Sequence, residues 1–153
     1  MLKILFVCTG NTCRSPLAEA LLRHELKSRE LGFQIEVASA GLAAFAGEWI
    51  SENVAGLLRE AGIEHDQERS ARQLDQDLIS DADLILTMTA DQLHQVSLRF
   101  PNASNRTFLL TAYSGLEPDD IKDPYGKNPQ KYRLVMEEIH NTLKNLITRL
   151  EKG

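Results

Sequence analysis

Four short apolar runs alternate along the chain with longer segments of helical periodicity, and this alternation limits the fold more than any other feature. The runs lie at 2–8, 35–38, 83–88 and 106–110. Short apolar runs that end in polar residues are typical of buried strands. Strands that alternate with helices predict one α/β domain over residues 1–153, with a four-stranded parallel sheet flanked by helices.

The segments between these runs carry apolar side chains at spacings of three and four residues, as amphipathic helices do. Five helices are predicted: from Pro16 to a stop at Gly32, over 51–61, over 75–81, over 90–100, and from Pro129 to the end. Pro16 suits the first turn of its helix, and Ser15 before it is a candidate N-cap. Residues 111–127 are predicted to form a loop.

The charge of the chain excludes several classes of partner. Its 17 Lys and Arg against 22 Asp and Glu give a net charge of -5, without a basic tail, which disfavours binding to nucleic acid or to an anionic membrane. No stretch approaches the roughly 18 apolar residues of a membrane helix, and the apolar start at 1–7 is too short for a signal peptide. We therefore expect a cytoplasmic monomer, whose two cysteines are free, reactive thiols.

The first predicted strand leads into the first predicted helix through "CTGNTCRS" at 8–15. The N-terminus of a helix presents unpaired N–H groups and the positive end of a dipole, so this turn is an anion site. Gly10 lets the backbone approach a ligand closely, and Asn11 tolerates a left-handed conformation. Arg14 adds a planar fork that can grip two phosphate oxygens. The sequence thus predicts a phosphate-binding loop.

Cys8 starts this loop and Arg14 lies near its far end. A thiol in a positive field loses its proton more easily, and a thiolate that faces a phosphoryl group is a nucleophile for phosphorus. Each residue alone also fits an ordinary role: Cys8 as a small buried side chain, Arg14 on a helix surface, Ser15 as a cap. Their common spacing favours catalysis.

The pattern of Cys8, five residues, Arg14 and Ser15 is the signature of cysteine-dependent phosphatases. With "SAG" at 39–41, "ADLILTM" at 82–88 and "DPYG" at 123–126, it resembles the low-molecular-weight protein tyrosine phosphatase family over essentially the whole chain. The resemblance implies a cysteinyl-phosphate intermediate on Cys8, phosphorylated proteins as substrates and inorganic phosphate as product. It also implies that Ser15 donates a hydrogen bond to the thiolate. The rest of the loop would bind the phosphoryl group through Thr9, Gly10, Asn11, Thr12 and Cys13.

The family takes its proton donor from a "DP" motif, which here is Asp123. An Asp-Pro pair also fits an ordinary turn. However, ligands of parallel sheets bind beyond the carboxyl ends of the strands, where this segment and Cys8 are both expected, and that favours catalysis. The resemblance implies that Phe45 and Tyr125 form the walls of a narrow slot, with Trp49 as a weaker candidate. No cofactor or metal is expected, since the four histidines are scattered.

The sequence allows two roles each for Cys13 and Thr12. In the family pattern Cys13 forms a reversible disulfide with Cys8 and protects it from irreversible oxidation; it also fits a small buried residue. Thr12 stands where typical members carry a bulky aliphatic residue, and "CTGNTCRSP" resembles the bacterial protein-arginine phosphatase subgroup. Thr12 also fits a neutral loop position.

We therefore predict a protein-arginine phosphatase, a cysteine-dependent hydrolase of phosphoarginine on proteins. The first alternative is hydrolysis of phosphotyrosine by the same residues. Arsenate reduction is a further alternative, which the absence of a cysteine after Cys13 disfavours. An inactive phosphate-binding module is the last, and the combination of Cys8, Arg14 and Asp123 argues against it.

Overall fold

A four-stranded, fully parallel sheet forms the centre of the computed structural model, which describes residues 1–31, 34–66 and 68–152. The strands are β1 (Leu2–Cys8), β2 (Ile35–Gly41), β3 (Leu84–Thr87) and β4 (Thr107–Leu109). Their order across the sheet is β2-β1-β3-β4, so β1 lies between two partners. The predicted α/β fold with a four-stranded parallel sheet is confirmed.

Helices cover both faces of the sheet in the described part of the chain. They are α1 (Arg14–Ser28), α2 (Glu52–Glu60), α3 (Gln76–Asp81), α4 (Ala90–Arg99), α5 (Leu110–Tyr113) and α6 (Pro129–Lys152), with a 3-10 helix at Pro101–Arg106. None of the described helices is long and apolar enough to cross a membrane.

Alternate residues of β1 supply two separate cores. Ile4 and Phe6 belong to an apolar cluster with residues of α1 and α6, whereas Leu5 and Val7 pack with residues of α3 and α4. Successive side chains of a strand point to opposite faces, and both faces are covered here. This explains why the sequence of β1 is almost continuously apolar instead of alternating with polar residues.

Several predicted boundaries differ from the structure, most of them by one or two residues. The strand predicted at 35–38 extends to Gly41, because it pairs with β1 as far as Cys8. The strand predicted to end at Leu110 stops one residue earlier, and the short helix α5 replaces the start of the predicted loop. Leu110 is fully buried, which anchors this turn to the core. The predicted helix stop at Gly32 lies outside the described residues; α1 ends at Ser28.

The topology brings the carboxyl ends of the four parallel strands to one edge of the sheet. The segment after β1, the segment after β2 and the segment that precedes α6 lie at this edge. In open parallel sheets ligands bind at this edge, between segments that are far apart in sequence.

Candidate active site

A pocket of about 290 Å³ lies at the carboxyl edge of the sheet. It contains the predicted site residues, except Ser15. Its lining consists of the loop 8–14, of Ala43, Phe45 and Glu48 after β2, and of Asp123 and Tyr125 before α6. Trp49, the weaker candidate for a wall, does not belong to this lining.

Asn11 determines the shape of the loop. Its φ is 58°, the left-handed conformation that its residue type tolerates. The buried side-chain amide donates to Ser15 Oγ at 2.8 Å and to Ser39 Oγ at 3.0 Å. Its oxygen accepts from Arg69 Nη2 at 3.0 Å and from the backbone N–H of Arg72 at 2.9 Å. Both N–H donors of the Asn11 amide and both acceptor positions of its oxygen are therefore occupied, and these four hydrogen bonds hold the loop in its cupped form.

Gly41, the last residue of β2, leaves room for the phosphate-binding loop to lie directly against this strand. A Cβ atom at this position would lie 2.6 Å from the carbonyl oxygen of Thr9 and 3.0 Å from the backbone nitrogen of Asn11. Beyond Gly41, the N–H of Leu42 donates to the carbonyl of Cys8, and that of Ala43 to the carbonyl of Thr9, both at 2.9 Å. The glycine of "SAG" is therefore required by the close approach of the loop to β2.

The sulfur of Cys8 lies at the base of the pocket, 2.9 Å from the hydroxyl oxygen of Ser15. Since Asn11 donates to that hydroxyl, the proton of Ser15 is free to point at the sulfur. A hydrogen bond donated to sulfur stabilises negative charge on it. Ser15 is not the N-cap of α1, because the helix already begins at Arg14. Cys13 is in the N-cap position and makes no side-chain capping bond.

Arg14 connects the loop to the segment that carries Asp123. Its side chain is buried, and Nη1 donates to the carbonyl of Ile121 at 2.9 Å. Nη2 lies 3.7 Å from Asp123 Oδ2. The other oxygen of Asp123 accepts the N–H of Tyr125 at 3.0 Å, so Asp123 occupies a turn and lines the pocket at once. A role of Asp123 in a turn and a role as a proton donor in the pocket are therefore compatible.

A buried charged cluster supports Asn11 from behind, and sequence analysis missed it. Glu19 of α1 accepts the hydroxyl of Ser39 at 2.6 Å and lies 3.4 Å from Arg69 Nη2. Burial lowers the pKa of Arg69, while the nearby Glu19 acts in the opposite direction. The detectable signal was Glu19, a charged residue on the otherwise apolar face of a helix.

Gln92 supports the same loop from the other side, and was also missed. Its side-chain oxygen accepts the N–H groups of Met88 and Thr89, both at 3.0 Å, and Thr89 Oγ1 accepts the N–H of Gln92 in return. This capping box starts α4. The nitrogen of the same side chain donates to Thr9 Oγ1 at 3.1 Å, so the cap of α4 also positions the loop.

Exposed side chains surround the mouth of the pocket. Phe45 is 71% exposed and Tyr125 is 74% exposed, so both rings are available to a substrate. Glu48, which sequence analysis did not select, lines the pocket near Phe45. The N–H of Glu48 donates to the carbonyl of Phe45 at 3.2 Å, and its carbonyl accepts the N–H of Ala71 at 2.7 Å.

Thr12 and Cys13 are the two residues of the loop that directly precede Arg14. Both Cys8 and Cys13 are free and buried. Burial raises the pKa of Cys13, and hydrogen bonds with Thr12 and Ser51 oppose this shift only in part. Thr12 lines the pocket, and its carbonyl accepts the N–H of Ser51 at 2.8 Å. In the described residues, no three His, Cys, Asp or Glu side chains are placed to hold a metal ion together.

A cysteine and an arginine that share one anion-binding loop, with a carboxyl group beside the arginine, define a cysteine-dependent phosphatase. The chain belongs to the family described as low molecular weight phosphotyrosine protein phosphatase, whose model matches residues 3–153. The match thus places the chain in the family that its motifs resemble.

Individual relatives match almost the whole chain. A protein-arginine-phosphatase of Geobacillus stearothermophilus is 37% identical over 149 residues, which is 97% of this chain and 96% of the relative. A protein-arginine-phosphatase of Bacillus subtilis (strain 168) is 34% identical and covers 97% of both chains. A solved structure of a cysteine-to-serine mutant of YwlE arginine phosphatase, with a phosphorylated active-site serine, has a TM-score of 0.93. Its sequence identity is 30%, and it covers 99% of this chain and 97% of its own.

Proposed function

We propose that this chain hydrolyses phosphoarginine on proteins. The observation that carries the proposal is that Thr12, and not a bulky aliphatic residue, lines the pocket that contains Cys8. A guanidinium group keeps N–H donors beyond its bond to phosphorus, and a donor that is buried without a partner costs about 1–3 kcal/mol. The hydroxyl of Thr12 is an acceptor for such a donor. The similarity to two protein-arginine-phosphatases supports the same substrate.

The proposed reaction starts with binding of the phosphoryl group by the N–H groups of the loop and by Arg14. The sulfur of Cys8 attacks phosphorus and forms an S–P bond while the P–N bond breaks. The electron pair of the broken bond stays on the guanidine nitrogen, which receives a proton from Asp123. The resulting carboxylate then takes a proton from water, the water oxygen attacks phosphorus, and inorganic phosphate leaves as the S–P bond breaks.

Replacing Thr12 with isoleucine is expected to shift the preference of the enzyme toward phosphotyrosine. The change removes the hydroxyl and adds bulk, whereas an aromatic ring between Phe45 and Tyr125 loses little and gains apolar contact. We expect the ratio of kcat/KM on matched phosphoarginine and phosphotyrosine peptides to fall on the order of ten- to a hundred-fold. The same measurement on the wild type tests the proposed function.

Thr12→Val is the matched control, because it removes the hydroxyl at almost constant volume. If hydrogen bonding dominates, Thr12→Val reproduces most of the shift; if bulk dominates, only Thr12→Ile does. A shift of less than about two-fold in both variants would remove Thr12 from the determinants of specificity. A wild type that already prefers phosphotyrosine would overturn the phosphoarginine proposal.

Hydrolysis of phosphotyrosine is the second candidate function. It is favoured by the two exposed rings at the mouth of the pocket, Phe45 and Tyr125, which can flank a phenyl ring. The family description names the same substrate class. Cys8, Arg14 and Asp123 would act as above, with a phenolate oxygen as the leaving group.

We also propose that Cys13 protects Cys8 from irreversible oxidation. A peroxide oxidises Cys8 to a sulfenic acid and is itself reduced to water. The thiolate of Cys13 then attacks that sulfur, the S–S bond forms as the S–O bond breaks, and the oxygen leaves as hydroxide, which takes a proton from solvent. Because burial raises the pKa of Cys13, little thiolate is present at neutral pH. We therefore expect disulfide formation to accelerate as the pH rises from neutral, and to keep accelerating above about pH 8.5, where a free thiol is already half ionised.

This pH dependence is measured by quenching peroxide-treated protein with acid and determining the linked peptide by mass spectrometry. The Cys13→Ser variant gives the separate rate of Cys8 oxidation. Recovery of that variant with thiol reductants to the same extent as the wild type would contradict a protective role. The cytoplasmic location and the monomeric state expected from the sequence remain predictions.

A further inference from the structure

Among the described residues, Glu48 is the one charged residue of the pocket lining whose side chain has no function in the reaction or in the support of the loop. It lines the same pocket as Cys8, and it shares with Asp123 the distinction of carrying a carboxylate there. Asp123 is held by Tyr125 and lies beside Arg14. The exposed carboxylate of Glu48, by contrast, makes no hydrogen bond or ion pair with the described side chains.

The backbone of Glu48 is nevertheless fixed. Its N–H donates to the carbonyl of Phe45, and its carbonyl accepts the N–H of Ala71. The next residue, Trp49, forms an antiparallel bridge with Ser70. The Cα atom of Glu48 is therefore held at the mouth of the pocket from two sides, and only the side chain is free to meet a ligand.

The charges of the pocket differ between its base and its mouth. The base presents Arg14 and the N–H groups of the loop to the phosphoryl dianion. In phosphoarginine the guanidinium, a planar cation with several N–H donors, follows the phosphoryl group directly and so lies nearer the mouth. In phosphotyrosine an uncharged ring takes this place. A carboxylate binds a guanidinium through charge-assisted, often bidentate hydrogen bonds, and has nothing equivalent to offer a phenyl ring.

We propose that Glu48 is a specificity-determining residue whose carboxylate accepts N–H groups of the guanidinium of the substrate. The inference rests on the proposed function, since it assigns a second recognition element to the same substrate. Thr12 contacts the substrate next to the base of the pocket, and Glu48 contacts it from the mouth. Together they would bind a planar cation from two sides.

Glu48→Gln tests the proposal, because it keeps the size of the side chain and both backbone bonds and removes the charge. We expect the ratio of kcat/KM on phosphoarginine and phosphotyrosine peptides with the same neutral flanking sequence to fall about five- to twenty-fold. The loss on phosphoarginine should lie mainly in KM and should shrink at high ionic strength, as expected for a partly exposed charge pair. If Glu48 had only a structural role, the loss would neither lie mainly in KM nor shrink at high ionic strength.

Glu52→Gln is the matched control. Glu52 lies at the start of α2, pairs with Arg59 Nη2 at 2.6 Å, and does not line the pocket. Glu52→Gln removes one negative charge from the same region as Glu48→Gln does, so a long-range effect of net charge would appear in both variants. Equal ratios for wild type and Glu48→Gln, an equal loss on both substrates, or the same shift in Glu52→Gln would each overturn the proposal. Failure of the proposed function is separate, because it appears in the wild type as a preference for phosphotyrosine over phosphoarginine.

Discussion

Cys8→Ser is expected to abolish turnover of phosphorylated peptides, with a loss in kcat on the order of 10⁴-fold or more. A serine hydroxyl ionises far less readily than a thiol and needs a neighbouring base to attack phosphorus. The side chain that hydrogen-bonds to the sulfur of Cys8 is that of Ser15, whose hydroxyl is not a base. Any phosphoryl group that reaches the new serine forms an ester that the enzyme is not arranged to cleave.

The measurement combines phosphate release with the intact mass of the protein after incubation with substrate. We expect no multiple turnover, and a fraction of Cys8→Ser whose mass has increased by one phosphoryl group. The phosphorylated active-site serine in the structure of a YwlE arginine phosphatase mutant supports this outcome. Unchanged thermal unfolding would show that the loss is chemical, since a serine at this position retains a contact with Ser15.

Cys13→Ser is the comparison within the same loop. It removes the other thiol, which burial keeps largely protonated, and its loss of activity should be much smaller. If Cys13→Ser were instead the inactive variant and Cys8→Ser retained activity, the nucleophile would be Cys13, and the mechanism proposed above would be wrong.

The sequence predicted those features of the site that are local in the chain. The loop follows directly from the end of β1 and the start of α1, and the left-handed Asn11 follows from its residue type. Asp123 was placed at the correct edge because parallel strands bring their carboxyl ends together. These inferences need only residues close in sequence and one rule of topology.

The supports of the loop depend on contacts between distant segments and were not predictable in this way. Asn11 meets Arg69 across 58 positions, and Gln92 meets Thr9 across 83. No periodicity marks these pairs, because the crossovers between strands decide which segments meet. Ser15 is a different case: its position suggested an N-cap, which is wrong, whereas the bond of its hydroxyl to the sulfur of Cys8 was implied by the family resemblance and not by its position.

Glu48 was missed for a different reason. An acidic residue in a polar loop after a strand is most often a solvated surface residue, and nothing in the neighbouring sequence distinguishes this one. Its position on the pocket results from the turn at Gly47, where φ is 91°, and from the bonds that fix the segment against residues 70 and 71. A residue of this kind becomes a candidate only when the pocket itself is seen.

Asp123→Asn is expected to lower kcat on phosphoarginine peptides by about 10²- to 10⁴-fold. Asparagine keeps the shape of the side chain, and its oxygen can still accept the N–H of Tyr125. What it lacks is the proton for the leaving guanidine nitrogen and the base for the attacking water. Substrate binding should change much less, because in the proposed mechanism the phosphoryl group is bound by the loop and by Arg14.

Two measurements separate loss of this proton donor from a disturbed pocket. The loss should be much smaller on p-nitrophenyl phosphate, whose leaving group departs with little need for a proton, so that only the second step suffers. Asp120→Asn is the matched control: Asp120 belongs to the same segment, accepts the N–H of Ala90 at 2.9 Å and does not line the pocket. Since an asparagine oxygen can preserve that bond, this variant should retain nearly full activity. Equal losses for Asp123→Asn on both substrates, or a comparable loss for Asp120→Asn, would show that the segment acts by holding Arg14 through Ile121 and not by moving a proton.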